Sequence, residues 1–164
     1  MRARSNWLLA TTCMLLLCTS VRAEDPEELP SYVLIQDSIV TADKAAADSV
    51  FYSYDEKVAA AKLKELGTEW PKGFNFPQGS LFVIAISGYT QESFASMSAV
   101  KSSRTFIVNL QSDKDTAQPK PAEEGKKKVR VLLIGCPPLR GIKAWAIKTS
   151  DAKVHTVEGA ELKK

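Results

Sequence analysis

Short apolar runs separated by polar or proline-containing stretches set the pattern of the chain. Residues 81–86 (LFVIAI) are apolar at every position, which is typical of a strand covered on both faces. Residues 94–100 and 105–110 alternate between inward-type and outward-type positions, with Lys101-Ser102-Ser103 between them. That arrangement predicts a β-hairpin.

Five further segments carry the β-branched and aromatic residues that are typical of strands. They are residues 32–35, 49–52, 129–134, 142–147 and 154–157. The pattern therefore predicts about eight short strands. Because residues 105–110 and 129–134 show the same kind of alternation, we expect them to be neighbours in one antiparallel sheet.

One clear helix is predicted over residues 55–66, with Ser53 as its N-cap and Gly67 as a left-handed cap at its end. Its apolar positions recur at helical spacing and form one stripe: Val58, Ala59, Leu63 and Leu66. A stripe of that kind is most simply explained as core. The predicted fold class is therefore α+β, with a mostly antiparallel sheet of about eight short strands and one main helix.

The N-terminus has the three parts of a secretion signal, over residues 1–23. Arg2 and Arg4 precede an apolar stretch, and Ala23 supplies the small residue at the cleavage point. Cleavage would leave Glu24 first. A membrane anchor is the competing interpretation, although the apolar run is shorter than a span requires. A lipoprotein anchored at Cys18 is a third.

The remaining chain is predicted to form one domain over residues 31–164. Residues 24–30 are rich in acids and proline and are expected to form a flexible leader. Residues 112–127 are polar, contain two prolines and hold no large hydrophobic side chain, so we expect a disordered loop there. No further domain is indicated after this loop.

Removing residues 1–23 changes both the charge and the cysteine count. Three of the 22 basic residues and none of the 19 acidic residues lie in the signal, which leaves 19 of each. A net charge of zero gives no reason to expect nucleic acid or an anionic membrane as a partner. Cys136 is the one cysteine left, so no disulfide forms within the mature chain. After cleavage no membrane span is expected.

Few residues of the mature chain could carry chemistry. With one cysteine and one histidine, Cys136 and His155, a structural zinc site is not expected, and no cofactor is indicated. The two residues could in principle form the catalytic pair of a cysteine-dependent hydrolase. The competing explanation is a packed thiol, because Cys136 ends a strand that runs into Pro137-Pro138.

Two other features suggest binding. Ser87-Gly88-Tyr89-Thr90 forms a glycine turn after the apolar strand, and such a turn can present backbone N–H groups. A cavity under a curved sheet, lined by Trp145, Phe82 or Tyr89, could hold a small ligand. Gly88, Tyr89 and Trp145 are therefore the candidate binding residues.

The order of these features resembles the C-terminal domain of the PrcB family. The resemblance covers residues 50–148: a strand and helix, a connection containing Phe74-Asn75-Phe76, the apolar strand ending in Gly88, a hairpin and a late strand pair. It implies a non-catalytic exported α+β domain, since some members are accessory subunits that stabilise a secreted subtilisin-like protease complex. The family's Thr-Gly-Gly-Tyr-like turn is only Gly88-Tyr89-Thr90 here, so Gly88 and Tyr89 alone are carried over, as surface positions.

The leading expectation is thus a non-enzymatic protein, exported to the periplasm or the medium, that binds another exported protein. A partner role for a secreted protease is what the resemblance implies. The cysteine-dependent hydrolase and the small-ligand binder are the alternatives.

Overall fold

The structure is a computed structural model that describes residues 25–29, 31–43, 48–113 and 126–164. The signal predicted at 1–23 and most of the loop predicted at 112–127 lie outside the described residues. Ser112 ends one strand and Lys126 begins the next, so three of the four described residues of that loop, Ser112, Lys126 and Lys127, lie in strands.

Nine strands and one helix are present in the described ranges. The strands are β1 (Glu27–Glu28), β2 (Val33–Asp43), β3 (Ser49–Ser53), β4 (Leu81–Ser87), β5 (Glu92–Val100), β6 (Thr105–Ser112), β7 (Lys126–Cys136), β8 (Ala144–Lys148) and β9 (Val154–Glu161), and the helix is α1 (Glu56–Glu65). Within the leader predicted at 24–30, Glu27–Glu28 pair with β5.

The strands form one curled, mixed sheet that closes about half of a barrel, in the order β1-β5-β6-β8-β9-β3-β4-β7-β2. The predicted fold class was wrong. Strands account for 53% of the structure and helix for 8%, so helix is too small a part for an α+β description. Two neighbouring pairs, β3 with β9 and β6 with β8, are parallel, so the sheet is mixed.

The error has a physical cause, because alternation of apolar and polar residues identifies a strand but not its partner. β8 follows β7 in the chain yet lies beside β6. The predicted pairing of residues 105–110 with 129–134 was also wrong. β6 lies between β5 and β8, whereas β7 lies between β4 and β2.

β9 joins the two halves of the sheet. Its first four residues pair antiparallel with β8, from Val154 opposite Lys148 to Val157 opposite Trp145. Its second four residues, beginning with Glu158, pair parallel with β3. One strand therefore bridges two sets of four strands.

Two apolar layers pack against the sheet. The inner layer fills the space enclosed by the curl, and its largest member is Trp145. The outer layer lies between the sheet and α1, which contributes Ala59 and Leu63. β4 supplies side chains to both layers, and all seven of its residues are buried, which confirms the prediction of a strand covered on both faces.

The helix begins and ends for local reasons. Asp55, not the predicted Ser53, is the N-cap, since its Oδ1 accepts hydrogen bonds from the N–H groups of Lys57 and Val58 at 2.9 and 3.3 Å. Ser53 lies two residues earlier and accepts from the N–H of Asp55 at 3.0 Å. Gly67 ends the helix at a φ of +81°, as predicted.

β2, at one end of the sheet, approaches β5, which lies next to the strand at the other end, along a seam. The ring of Tyr32 meets the ring of Phe94 edge to face, with centroids 5.8 Å apart. Arg130 donates to Oδ2 of Asp37 at 3.0 Å and to the carbonyl oxygen of Thr90 at 3.3 Å. β2 and β5 are not hydrogen-bonded neighbours in the sheet, so these aromatic and charged contacts hold the seam together.

Candidate functional site

An apolar groove of about 320 Å³ lies at one end of the sheet, where β2 and β4 begin and β7 ends. Three separate stretches of chain line it: residues 31–33, residues 76–80 and residues 135–138. The lining residues are Ser31, Tyr32, Val33, Phe76, Pro77, Gln78, Ser80, Gly135, Cys136, Pro137 and Pro138. We call this the strand-end groove.

Two aromatic rings form its walls, and packing fixes both. The hydroxyl of Tyr32 donates to Glu28 Oε1 at 2.9 Å, in addition to the ring contact across the seam. The ring of Phe76 packs edge to face on Phe82 with centroids 5.4 Å apart, and it stacks on Phe74. A Cβ at Gly135 would lie 2.6 Å from Phe76 Cε1, so only glycine admits the ring there.

Cys136 contributes its thiol to the groove from a buried position. It is 4% exposed, and its Sγ lies 3.7 Å from the carbonyl oxygen of Leu81. Burial raises the pKa of the Cys136 thiol to about 12 because a thiolate would lose its hydration there. The thiol therefore stays neutral and weakly nucleophilic near neutral pH.

No lining residue of the groove carries a formal charge near neutral pH. Besides Cys136, the one titratable side chain is Tyr32, whose pKa is raised by burial and by the neighbouring Glu28 carboxylate. Both groups therefore remain protonated at physiological pH. The groove is an uncharged surface made mainly of carbon.

Exposed apolar side chains surround the groove. Val33 is 48% exposed, Tyr54 is 42% exposed and Phe74 is 38% exposed. Tyr54 reaches this end of the molecule, since its hydroxyl donates to the carbonyl oxygen of Leu139 at 3.1 Å. Pro77, Pro137 and Pro138 are also exposed. The apolar surface thus extends beyond the groove itself.

The turn singled out by the sequence lies at the opposite end of β4. Gly88 is exposed, and its N–H donates to Asp48 Oδ1 at 2.7 Å. The hydroxyl of Tyr89 lies 3.1 Å from His155 Nε2, and the two rings are 5.4 Å apart. The sequence does not link Tyr89 with His155, because nothing local in β9 indicates that it passes this turn.

Cys136 and His155 are not brought together. Cys136 is opposite Leu81, the first residue of β4, whereas His155 contacts Tyr89, which follows the last residue of β4. A strand of seven residues is about 20 Å long. The spacing is too great for a direct hydrogen bond between the two side chains.

The three residues expected to line a ligand cavity do not all lie on one face of the sheet. Trp145 is 1% exposed and belongs to the inner layer, where it packs on Phe106 and Tyr52. Phe82 belongs to the outer layer, on the other face of the sheet. Tyr89 is half-buried at the Gly88 turn. Trp145 is therefore a core residue with no exposed face for a ligand.

The strand-end groove was not predicted from the sequence. The one sequence feature that could have indicated it is the pair of proline-containing segments, 74–77 and 136–138, which follow no strand or helix pattern. Nothing in either segment showed that they lie beside each other and beside Val33.

Two kinds of feature are absent from the described residues. No three His, Cys, Asp or Glu side chains there are grouped so that they could hold a metal ion. The one helix in the same ranges lacks the length and apolar character needed to cross a membrane.

Comparisons with protein-family models, with curated proteins and with solved structures found no match. The resemblance of residues 50–148 to the PrcB family therefore rests on the order of features alone.

Proposed function

We propose that this chain is exported and acts as a non-enzymatic domain that binds another exported protein through the strand-end groove. One observation carries the proposal: exposed apolar side chains are concentrated around this groove. Val33, Tyr54 and Phe74 are three of the five large hydrophobic residues that are exposed in the described ranges. Exposed apolar surface gathered in one place is typical of a binding surface, whereas scattered residues are not.

The remaining two exposed hydrophobic residues lie elsewhere. Ile39 is opposite Arg130, and Val154 is opposite Lys148, both at the end of the sheet that carries Tyr89. Neither residue lines the strand-end groove. The difference between the two ends supports the strand-end groove as the contact surface.

The partner that we propose is a protein of the same compartment. Export is proposed from the signal-like residues 1–23, and a secreted protease complex is the partner class that the PrcB resemblance implies. The volume and apolar lining of the groove also fit a small apolar ligand, which is the second candidate.

Two valines make a matched test. Val33 and Val154 are the first residues of β2 and β9, and they are 48% and 54% exposed. The tagged mature chain and its Val33→Lys and Val154→Lys variants would be incubated with the exported fraction of the source cells, and bound proteins quantified by mass spectrometry. Thermal unfolding would confirm that all three are folded.

We expect a bound protein whose recovery falls in Val33→Lys and is unchanged in Val154→Lys. Losing the burial of one valine costs about 1.5–3 kcal/mol, which weakens binding by roughly tenfold to a hundredfold. Equal recovery with both variants would contradict the proposal. Recovery of a small apolar molecule in place of a protein would favour the second candidate.

A further inference from the structure

The strand-end groove has features that identify the kind of segment it accepts, if the proposed function holds. We propose that its occupant is an extended, uncharged, proline-containing segment of the partner protein, in polyproline II conformation. Charge, rigidity, length and hydrogen bonding each support this assignment.

The uncharged lining of the groove favours an uncharged segment. A charged side chain that entered the groove would lose hydration, and none of the lining residues would offer it a counter-charge. The Cys136 thiol does not supply one either, because burial keeps it protonated. Apolar side chains and proline rings lose nothing on entering such a surface and gain from leaving water.

Rigid walls favour a ligand that is itself rigid. Tyr32 is held by Glu28 and Phe94, and Phe76 is held between Phe74 and Phe82. Little side-chain freedom is therefore lost when a ligand binds. A polyproline II segment is ordered before binding as well, and segments of this type dock in grooves lined by aromatic rings.

The size of the groove fits three or four residues of such a segment. The groove crosses the ends of three neighbouring strands, β2, β7 and β4, and strands lie about 4.8 Å apart. The outer two are therefore about 10 Å apart. A polyproline II segment rises about 3.1 Å per residue, so three or four residues span this distance.

Two rim side chains can serve the backbone of the segment. A polyproline II helix makes no internal hydrogen bonds, so its carbonyl oxygens need donors or water. The exposed side chains of Ser31 and Gln78 line the groove and carry O–H and N–H donors. They can donate to the carbonyl oxygens of a bound segment while its apolar side chains face the rings.

Phage-displayed random dodecapeptides would test this on the full mature chain. Selection on wild type, with depletion on the folded Val33→Lys variant, isolates peptides that need the groove. We expect enrichment of uncharged peptides containing proline and large apolar residues. A synthetic fluorescent copy of the best peptide should bind wild type and Val154→Lys equally, and replacing its central apolar residue by aspartate should weaken binding by about tenfold or more.

The outcomes distinguish this inference from the proposed function. Enrichment of charged peptides, or no enrichment over Val33→Lys, would overturn it. If the protein partner still depends on Val33 in that case, the function stands and the groove contacts a folded surface instead. The selected peptide should bind Gln78→Ala more weakly than wild type. Equal binding to the two proteins would contradict the role assigned to the Gln78 amide.

Discussion

Gly159 of β9 lies directly beneath the indole ring of Trp145, at a position where any side chain would overlap the ring. The contact lets the largest side chain of the inner layer pack against the strand that joins the two halves of the sheet. We expect Gly159→Ala to lower the free energy of unfolding by about 1–3 kcal/mol, since the added methyl group must displace the ring. Urea unfolding followed by tryptophan fluorescence measures this.

The control is Gly88→Ala, whose added Cβ would lie 3.6 Å from Asp48 Oδ1, an ordinary contact. Its free energy of unfolding should stay within about 0.5 kcal/mol of wild type. Equal stability of Gly159→Ala and wild type would show that the ring can move without cost.

Because the Cys136 thiol is buried, we expect the folded protein to lose stability in alkali. Its pKa rises from an ordinary 9.0 to about 12 on folding, so between these values the unfolded chain ionises and the folded chain does not. The contribution of the neutral thiol to the free energy of unfolding is complete below pH 9. Above pH 9 it falls by about 1.4 kcal/mol per pH unit. Urea unfolding of wild type and Cys136→Ala at pH 8 to 11 checks this.

The other titratable groups are the same in wild type and Cys136→Ala. Their effect on the free energy of unfolding therefore cancels when the two proteins are compared at the same pH. The stability difference between wild type and Cys136→Ala should shift steadily in favour of the alanine variant above pH 9. A constant difference would contradict a buried neutral thiol, and so would rapid reaction of native Cys136 with iodoacetamide.

The Asp37–Arg130 pair is predicted to stabilise the seam. Arg130 is 4% exposed, and burial raises the pKa of Asp37 while the Arg130 charge lowers it. Asp37→Asn removes the one acidic partner that Arg130 contacts in the described structure. The free energy of unfolding should then fall by about 2 kcal/mol, because a buried guanidinium keeps its charge.

Glu65→Gln is the matched control for that variant. Glu65, whose side chain is 66% exposed, accepts from Lys62 at 2.7 Å, and ion pairs with an exposed partner contribute about 0.5 kcal/mol or less. Chemical unfolding of both variants at neutral pH gives the comparison. A loss no larger than that of Glu65→Gln would show that Arg130 does not depend on Asp37.

Cutting the chain between Asp113 and Lys126 should leave a folded complex. After the cut, β7 still pairs with β2 and β4, β8 pairs with β6, and the second half of β9 pairs with β3. Each strand of the second fragment therefore pairs with a strand of the first. Residues 24–113 and 126–164, refolded together, should co-elute on gel filtration with the circular dichroism of the intact chain. Separate elution would show that the chain consists of two independent units.

The maturation prediction follows from the sequence alone. If residues 1–23 are a cleaved signal, the protein purified from the exported fraction begins at Glu24. Intact mass and N-terminal sequencing decide this. A chain beginning at Met1, or one carrying lipid on Cys18, would contradict it.

Parts of this fold could be predicted from the sequence because burial leaves a local pattern. The all-apolar run at 81–86 predicted β4, and Gly67 predicted the end of α1. Pairing leaves no such pattern: nothing in residues 144–148 indicates that β8 lies parallel to β6. The strand-end groove was missed for the same reason, since Val33, Phe76 and Pro137 meet only through the pairing of β2, β7 and β4.

The position of β9 after the other described strands in the sequence also sets the order in which the sheet can form. β9 hydrogen-bonds β8 to β3, so a chain synthesised only as far as β8 has two separate four-stranded sets, neither joined to the other by a ladder. The complete sheet therefore forms only after synthesis reaches residue 161. For a chain proposed to be exported, this late closure postpones the folded sheet until residues 154–161 have been synthesised.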